Sequence, residues 1–274
     1  MVNVPGWYRS AARLRGVGAL VGPVLIIVGW LLGVLGDPPP VVVVVLTLIG
    51  FTLLVLAMGA AYLPGAPAIT PTTVTPPVRG RWIALNSPAT KRPSHGTHGH
   101  GQTFAIDLVY EPDPGSRPAF GSGAGFRPPT DFPGFGRPLY APADGTVVRV
   151  RDRDRDHRSR SSWPAYFYLM VEGMVRELAG SRFLLGNHLV LDLGGGVYAV
   201  LAHLQRGSVS VAVGDRVSRG QDIGRCGNSG NSSEPHVHFQ LMDCAHPAVA
   251  AGLPFAFPHG IPSNSEALTL PGPA

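Results

Sequence analysis

A chain of 274 residues with 36 Gly and 28 Pro has room for one sizeable domain plus an appendage, and its composition favours turns and short strands over long helices. Its formal charge is +5, and its 22 basic residues are all Arg except Lys91. Residues 1–79 carry +3 of that charge (Arg9, Arg13, Arg15 and Arg79 against Asp37), which leaves only +2 for the rest, a poor basis for a nucleic-acid partner. Cys226 and Cys244 are too few for a disulfide framework, and neither has a second Cys or His at Cys-x-x-Cys type spacing. They stand either free or as one pair.

Residues 1–15 form a short basic N-terminal segment, and two uncharged runs follow, Gly16 to Leu35 and Val41 to Leu63. Each is long enough to cross roughly 30 Å of hydrocarbon at 1.5 Å per residue, so residues 16–63 are expected to form a transmembrane hairpin in a lipid bilayer. A cleaved leader fits poorly, because a second span follows the first. Two spans put both chain ends on one side, and Arg9, Arg13 and Arg15 mark that side as cytoplasmic. Residues 64–80 (PGAPAITPTTVTPPVRG) are a Pro/Thr-rich, semi-extended linker.

From residue 81 to 274 the pattern is short strands and tight turns without a convincing amphipathic helix, which indicates a mainly β, antiparallel domain. Thr103 to Tyr110 alternates, with Ile106 and Leu108 on one face and Asp107 on the other. Residues 111–136 lack periodicity and read as a long surface loop, with the option of a lid. Tyr140 to Val150 reads as a hairpin turning at Asp144-Gly145. Arg151 to Arg160 (RDRDRDHRSR) reads as a solvated run of self-cancelling charge. Asn187 to Leu193 and Val197 to Leu204 are strands about a Gly194-Gly195-Gly196 turn, with His203 at the end of the second.

Glu234 to Leu241 (EPHVHFQL) carries the chemistry. With period two, His236, His238 and Gln240 share one face, while Val237, Phe239 and Leu241 share the other. Cα atoms two residues apart lie roughly 6.6 Å from each other, so both imidazoles can lean over one centre. Asp107, on the polar side of an apolar strand, needs a partner there. Upstream, His95, His98 and His100 crowd into six residues. Imidazoles and a carboxylate drawn from several strands suit zinc, and three protein ligands leave a position open for water. No His-Glu-x-x-His helix is present, so a glutamate base of that type is absent. Glu234, on a Gly/Ser-rich loop, reads as solvated.

Segments Gly136 to Val147, Gly186 to Asp192, Tyr198 to Leu204, Val213 to Val217, Gly220 to Gly224 and Gly227 to Phe239 resemble the successive motifs of the lysostaphin-type zinc endopeptidases, which cleave peptidoglycan. The resemblance spans about Ser94 to Asp243 and leaves residues 1–80 uncovered. It implies a compact antiparallel β-sheet metallopeptidase domain holding one Zn2+. Asp107 and His238 are implied as ligands, with His203 and His236 as the unliganded catalytic pair. The third ligand is His95 in its Ser-His-Gly-Thr setting, with His98 and then His100 as alternatives. The implied substrate is the peptide of peptidoglycan stems or cross-bridges. The implied setting is a multi-pass protein of the bacterial cell membrane with an extracytoplasmic domain, which conflicts with the arginine count. A catalytically silent scaffold of the same fold is the alternative. The chain itself names no protein partner.

Overall fold

In the computed structural model, which describes residues 4–63 and 69–271, both uncharged runs are helical. Residues 1–3, 64–68 (the start of the expected linker) and 272–274 lie outside the described residues. Helix α1 covers Gly6–Leu35 and so takes in the basic residues, and α2 covers Pro40–Ala60, with Pro40 at a first-turn position that needs no N–H. Each is long and apolar enough to span a bilayer, yet only 22% and 11% of their most apolar stretches are buried. A core helix would hide that surface, whereas here Ile27, Trp30, Leu48 and Phe51 point outward. The two pack through glycines. A Cβ on Gly22 would stand 2.8 Å from Gly50 O, and one on Gly50 2.6 Å from Gly22 O, the small-residue seam by which helices approach in lipid.

The remainder is an antiparallel β domain. Among the described residues its main sheet has nine strands. Their order is β13 (Ala267–Leu270), β2 (Gly80–Leu85), β3 (Ile106–Tyr110), β10 (Val237–Met242), β7 (Tyr198–Ala202), β6 (His188–Asp192), β5 (Gly145–Arg151) and β8 (Arg216–Val217). A short β11 (Gly252–Leu253) also pairs with β10. Two small ribbons flank the sheet, β1 (Thr72–Thr73) parallel to β12 (Phe255–Ala256), and β4 (Pro138–Tyr140) antiparallel to β9 (Asp222–Arg225). The expected β6–β7 pairing about the triple-glycine turn is present.

Alternation sorts the two faces. Trp82, Ile106, Leu108, Leu201, Phe239 and Leu241 are fully buried in the main core. The opposite face carries Asp107, His238 and Gln240 beside a second apolar cluster that includes Val190, Val200 and Met242. Trp82 satisfies its buried indole by donating Nε1–H to Arg79 O at 2.8 Å.

Three local expectations fail. The hairpin over Tyr140–Val150 does not form, because β4 pairs with β9 while β5 pairs with β6 and β8. Gly145 serves close strand approach instead, since a Cβ there would stand 2.7 Å from Asp192 O. The 151–160 run is not a solvated loop. Ser159 and Arg160 are buried, Asp152 accepts from Gly207 N and Val209 N, and Asp156 accepts from Arg206 N and Asn228 N. Each carboxylate satisfies main-chain N–H groups that would otherwise be orphaned. Lastly, the unassigned stretch after it holds a helix, α3 (Trp163–Ala179), capped by Ser162 and followed by the short α4 (Ser181–Leu185).

Gly227 is the tightest backbone contact near the functional end. It bridges to His236, and a Cβ at this position would run into Gln205 N and Cα. Gly227→Ala is expected to cost about 1–3 kcal/mol by overpacking, read as a lowered Tm of the detergent-solubilised chain; an unchanged Tm would contradict the contact.

Candidate metal centre

The register of two strands builds the centre. Antiparallel pairing puts His238 of β10 directly opposite Asp107 of β3, where cross-strand Cβ atoms are about 4.5–5.5 Å apart. His238 also faces Ala202, the last residue of β7, so His203, the residue that follows the strand, stands beside it with ring centroids 5.8 Å apart. His203 adopts φ +63°, a conformation costly for a side chain with a Cβ. Its backbone is pinned on both sides, N–H to Leu185 O at 3.0 Å and C=O accepting from Gly227 N at 3.0 Å. His95 arrives on the loop before β3, which is tied down by Ser94 N–H to Thr103 O at 3.1 Å.

The donor atoms meet on the Asp107 carboxylate. His238 Nδ1 lies 2.9 Å from Oδ1, and His95 Nε2 lies 3.0 Å from Oδ2. Ligand atoms of His95, Asp107 and His238 all fall within 4.8 Å of one another. Donors around tetrahedral zinc stand about 3.4 Å apart, given bonds of about 2.0–2.1 Å, so small ring rotations would admit the ion. Among the described residues this is the one His/Asp cluster capable of holding a metal.

Hydrogen bonds on the outer nitrogens fix the tautomers. Ser94 Oγ donates to Gln102 O at 3.1 Å, so it accepts from His95 Nδ1–H at 3.1 Å and leaves Nε2 unprotonated. Gln240 Nε2 donates to His100 O at 2.8 Å, which turns Oε1 to accept from His238 Nε2–H at 2.8 Å and leaves Nδ1 free. His203 Nδ1–H donates to Ser229 O, and His236 Nδ1–H to Glu234 O, both at 2.8 Å. The rings of His203 and His236 stand 4.7 Å apart, centroid to centroid. Such outer partners orient and strengthen imidazole ligands. The donor set therefore fits one divalent ion, with two further imidazoles beside it.

Electrostatics follow burial and the shared carboxylate. Burial alone would raise Asp107, but His95, His236 and His238 hold it well below the usual carboxylate range. Burial lowers His95 against the pull of Asp107. Burial, then the neighbouring His236 and His238, drives His203 well below the ordinary imidazole range. His236 alone is raised, because Asp107 and the Glu234 carbonyl outweigh burial. Those directions belong to the metal-free centre; a dication held on Asp107 would oppose the negative charge that raises His236.

The remaining candidates separate. His98 Nδ1 contacts Thr103 Oγ1 at 3.0 Å. His100 Nε2 lies 2.9 Å from Glu177 Oε1 and 3.2 Å from Arg15 Nη2. Neither joins Asp107. Glu234 is not solvated: its carboxylate pairs with Arg117 at 2.5 Å, and burial leaves its pKa raised despite that partner. Cys226 and Cys244 are both free thiols. Sequence reasoning missed Asn86, which donates to Asp107 Oδ2 at 2.9 Å, and the roles of Ser94 and Gln240. Gln240 was marked only by its place two residues after His238 on one strand face. The centre lies in a cleft of about 500 Å³ whose other wall is Tyr166, Leu169, Gly173 and Glu177 of α3, not the 111–136 loop.

Parts of the chain are similar to known proteins. Residues 168–249 match Peptidase family M23, a stretch that holds His203, His236 and His238 and stops short of His95 and Asp107. The peptidoglycan DD-endopeptidase ShyA of Vibrio cholerae serotype O1 is 29% identical over 130 residues, covering 46% of this chain and 23% of its own length. The glycyl-glycine endopeptidase ALE-1 of Staphylococcus capitis is 35% identical over 97 residues, covering 34% of this chain and 26% of its own. The chain thus spans about a quarter of each of these relatives. Among solved structures, the catalytic domain of lysostaphin from Staphylococcus simulans aligns at 21% identity over 55% of this chain and 77% of its own, with a TM-score of 0.32.

Gln240→Leu and Ser94→Ala are expected to weaken metal binding roughly 10–100-fold, read by chelator competition. His98→Ala should leave affinity unchanged, and His95→Ala should abolish binding. Equal loss in the His95 and His98 variants would contradict the geometry.

Proposed function

We propose that this chain is a membrane-anchored zinc endopeptidase of the M23 type that hydrolyses peptide bonds in the stems or cross-bridges of peptidoglycan. The observation that carries the reading is the convergence of His95, His238 and His236 on Asp107 with His203 packed beside them, each ring with its outward nitrogen committed to a fixed partner. The M23 match over residues 168–249 and the names of the two relatives supply the substrate class.

In this reading His95 Nε2, Asp107 and His238 Nδ1 hold one Zn2+. When bound, the ion supplies the Lewis acidity that lets water ionise near neutral pH and polarises the scissile carbonyl. His203 and His236 act as a pair. Each has Nδ1–H fixed on a backbone carbonyl, so only the Nε2 atoms remain for proton traffic. One Nε2 takes the proton of the attacking water and delivers it to the leaving amine. The other, when protonated, donates a hydrogen bond to the carbonyl oxygen as it gains charge. The cleft between the sheet and α3 gives the peptide strand its place.

The unit proposed for catalysis is residues 81–274 together with the end of the expected 64–80 linker, whose Thr72–Thr73 pairs with β12 and whose Val74 and Val78 are buried in the main core. The 16–63 hairpin carries it, with the domain on the wall side of the bacterial membrane. Arg9 and Arg15 do not weigh freely against that orientation. Arg9 pairs with Asp243 at 2.6 Å, and Arg15 contacts His100, so both charges are used within the molecule.

His203→Ala and His236→Ala should each lower cleavage of purified peptidoglycan by about 10²–10⁴-fold with zinc still bound, read as new amino termini alongside metal analysis. A chelator should stop cleavage by the unaltered chain. Cleavage that survives chelation or both substitutions would overturn the reading.

A further inference from the structure

We infer that the outward face of α3 is a membrane-contact surface, lying on the same bilayer that α1 and α2 cross. The inference goes beyond the hydrolytic reading and does not depend on metal.

Helix α3 is amphipathic in the inverted sense. Its polar groups turn inward, Glu172 pairing with Arg160 at 2.6 Å and Arg176 reaching Asn231 Oδ1 at 3.4 Å, and Ala165 and Leu169 are its buried apolar residues. At three- and four-residue intervals on the other side stand Trp163, Phe167, Met170, Val171, Met174 and Leu178. Trp163, Phe167 and Met174 are 74%, 69% and 67% exposed, although no charge interrupts the stripe. A soluble surface rarely leaves so long an apolar run open. Tyr166 and Tyr168, both exposed, flank it, and Phe120 extends it by packing on Trp163 with ring centroids 5.2 Å apart. Aromatic rings of this kind concentrate at the level of lipid headgroups.

Position in the molecule identifies the occupant as lipid. Arg15 is the last charged residue before the uncharged run of α1. Its guanidinium contacts His100, which contacts Glu177 in the last turn of α3. That chain of contacts holds the end of α3 at the depth where α1 leaves the hydrocarbon. The other mouth of the hairpin grips the same loop, with Ala61 O accepting from His98 N at 2.9 Å and Gly99 N at 3.2 Å. The stripe therefore begins beside an anchored membrane boundary and carries the residues of an interfacial helix. Because the inner side of α3 lines the cleft, a bilayer seat would keep that cleft within roughly one helix diameter, about 10–12 Å, of the headgroups.

The test uses the full chain reconstituted into phosphatidylethanolamine–phosphatidylglycerol vesicles. Nitroxide labels are placed by Phe167→Cys or Met174→Cys in a Cys244→Ser background, with Val213→Cys as a water-facing reference on a turn far from α3 in sequence. The expected result is a several-fold higher ratio of oxygen to nickel-chelate collision at 167 and 174 than at 213. A ratio equal to that at 213 would overturn the inference. Spin–spin broadening at 167 and 174 that vanishes on dilution with unlabelled chain would also overturn it, assigning the stripe to a second copy instead.

Discussion

The constraint on which the centre depends is the antiparallel register of β3 and β10. Val237 pairs with Leu108 and Phe239 with Ile106, and the residues between them, His238 and Asp107, face each other. A slip of one residue would send every side chain to the wrong face. Ile106, Leu108, Val237 and Phe239 are fully buried, and burying each is worth about 1.5–3 kcal/mol. The hydrophobic core thus holds a carboxylate and an imidazole together on its far side. Packing energy, rather than a bound ion, sets that pairing.

The second layer of order is the set of outer hydrogen bonds. Ser94, Gln240, Ser229 and Glu234 use a hydroxyl, an amide and two backbone carbonyls to orient four rings. Each acceptor is itself fixed by something structural, such as the His100 carbonyl that turns the Gln240 amide. The loops beneath are held by the carboxylates of Asp152 and Asp156, which bind main-chain N–H groups around residues 206–209 and 228. Such preorganisation lets a site act without reorganising at the moment of reaction.

How far the sequence was legible follows from these layers. Alternation exposed the two faces of β3 and β10, because a period of two is a direct consequence of strand geometry. The apolar helices were legible from length alone. The 151–160 carboxylates were not, since a local run of alternating charge looks self-cancelling while the main-chain partners of Asp156 and Asp152 lie 50 and 55 residues downstream. Helix α3 was legible and was missed: Trp163, Phe167, Met170, Val171, Met174 and Leu178 recur at helical spacing, and only the outward direction of that stripe lay beyond the sequence. The choice among His95, His98 and His100 turned on loop geometry that spacing does not encode: only His95 reaches Asp107.

The N-terminal hairpin is more than a tether. Arg9, Arg15 and Ala61 all contact the β domain, two of them at the 98–100 turn that follows His95. The central claim, that His95, Asp107 and His238 share one zinc ion, is met most directly by zinc K-edge absorption spectroscopy of the intact chain. The predicted result is a shell of nitrogen and oxygen at about 2.0–2.2 Å with scattering from two imidazoles. Sulfur near about 2.3 Å, from Cys226 or Cys244, would contradict it.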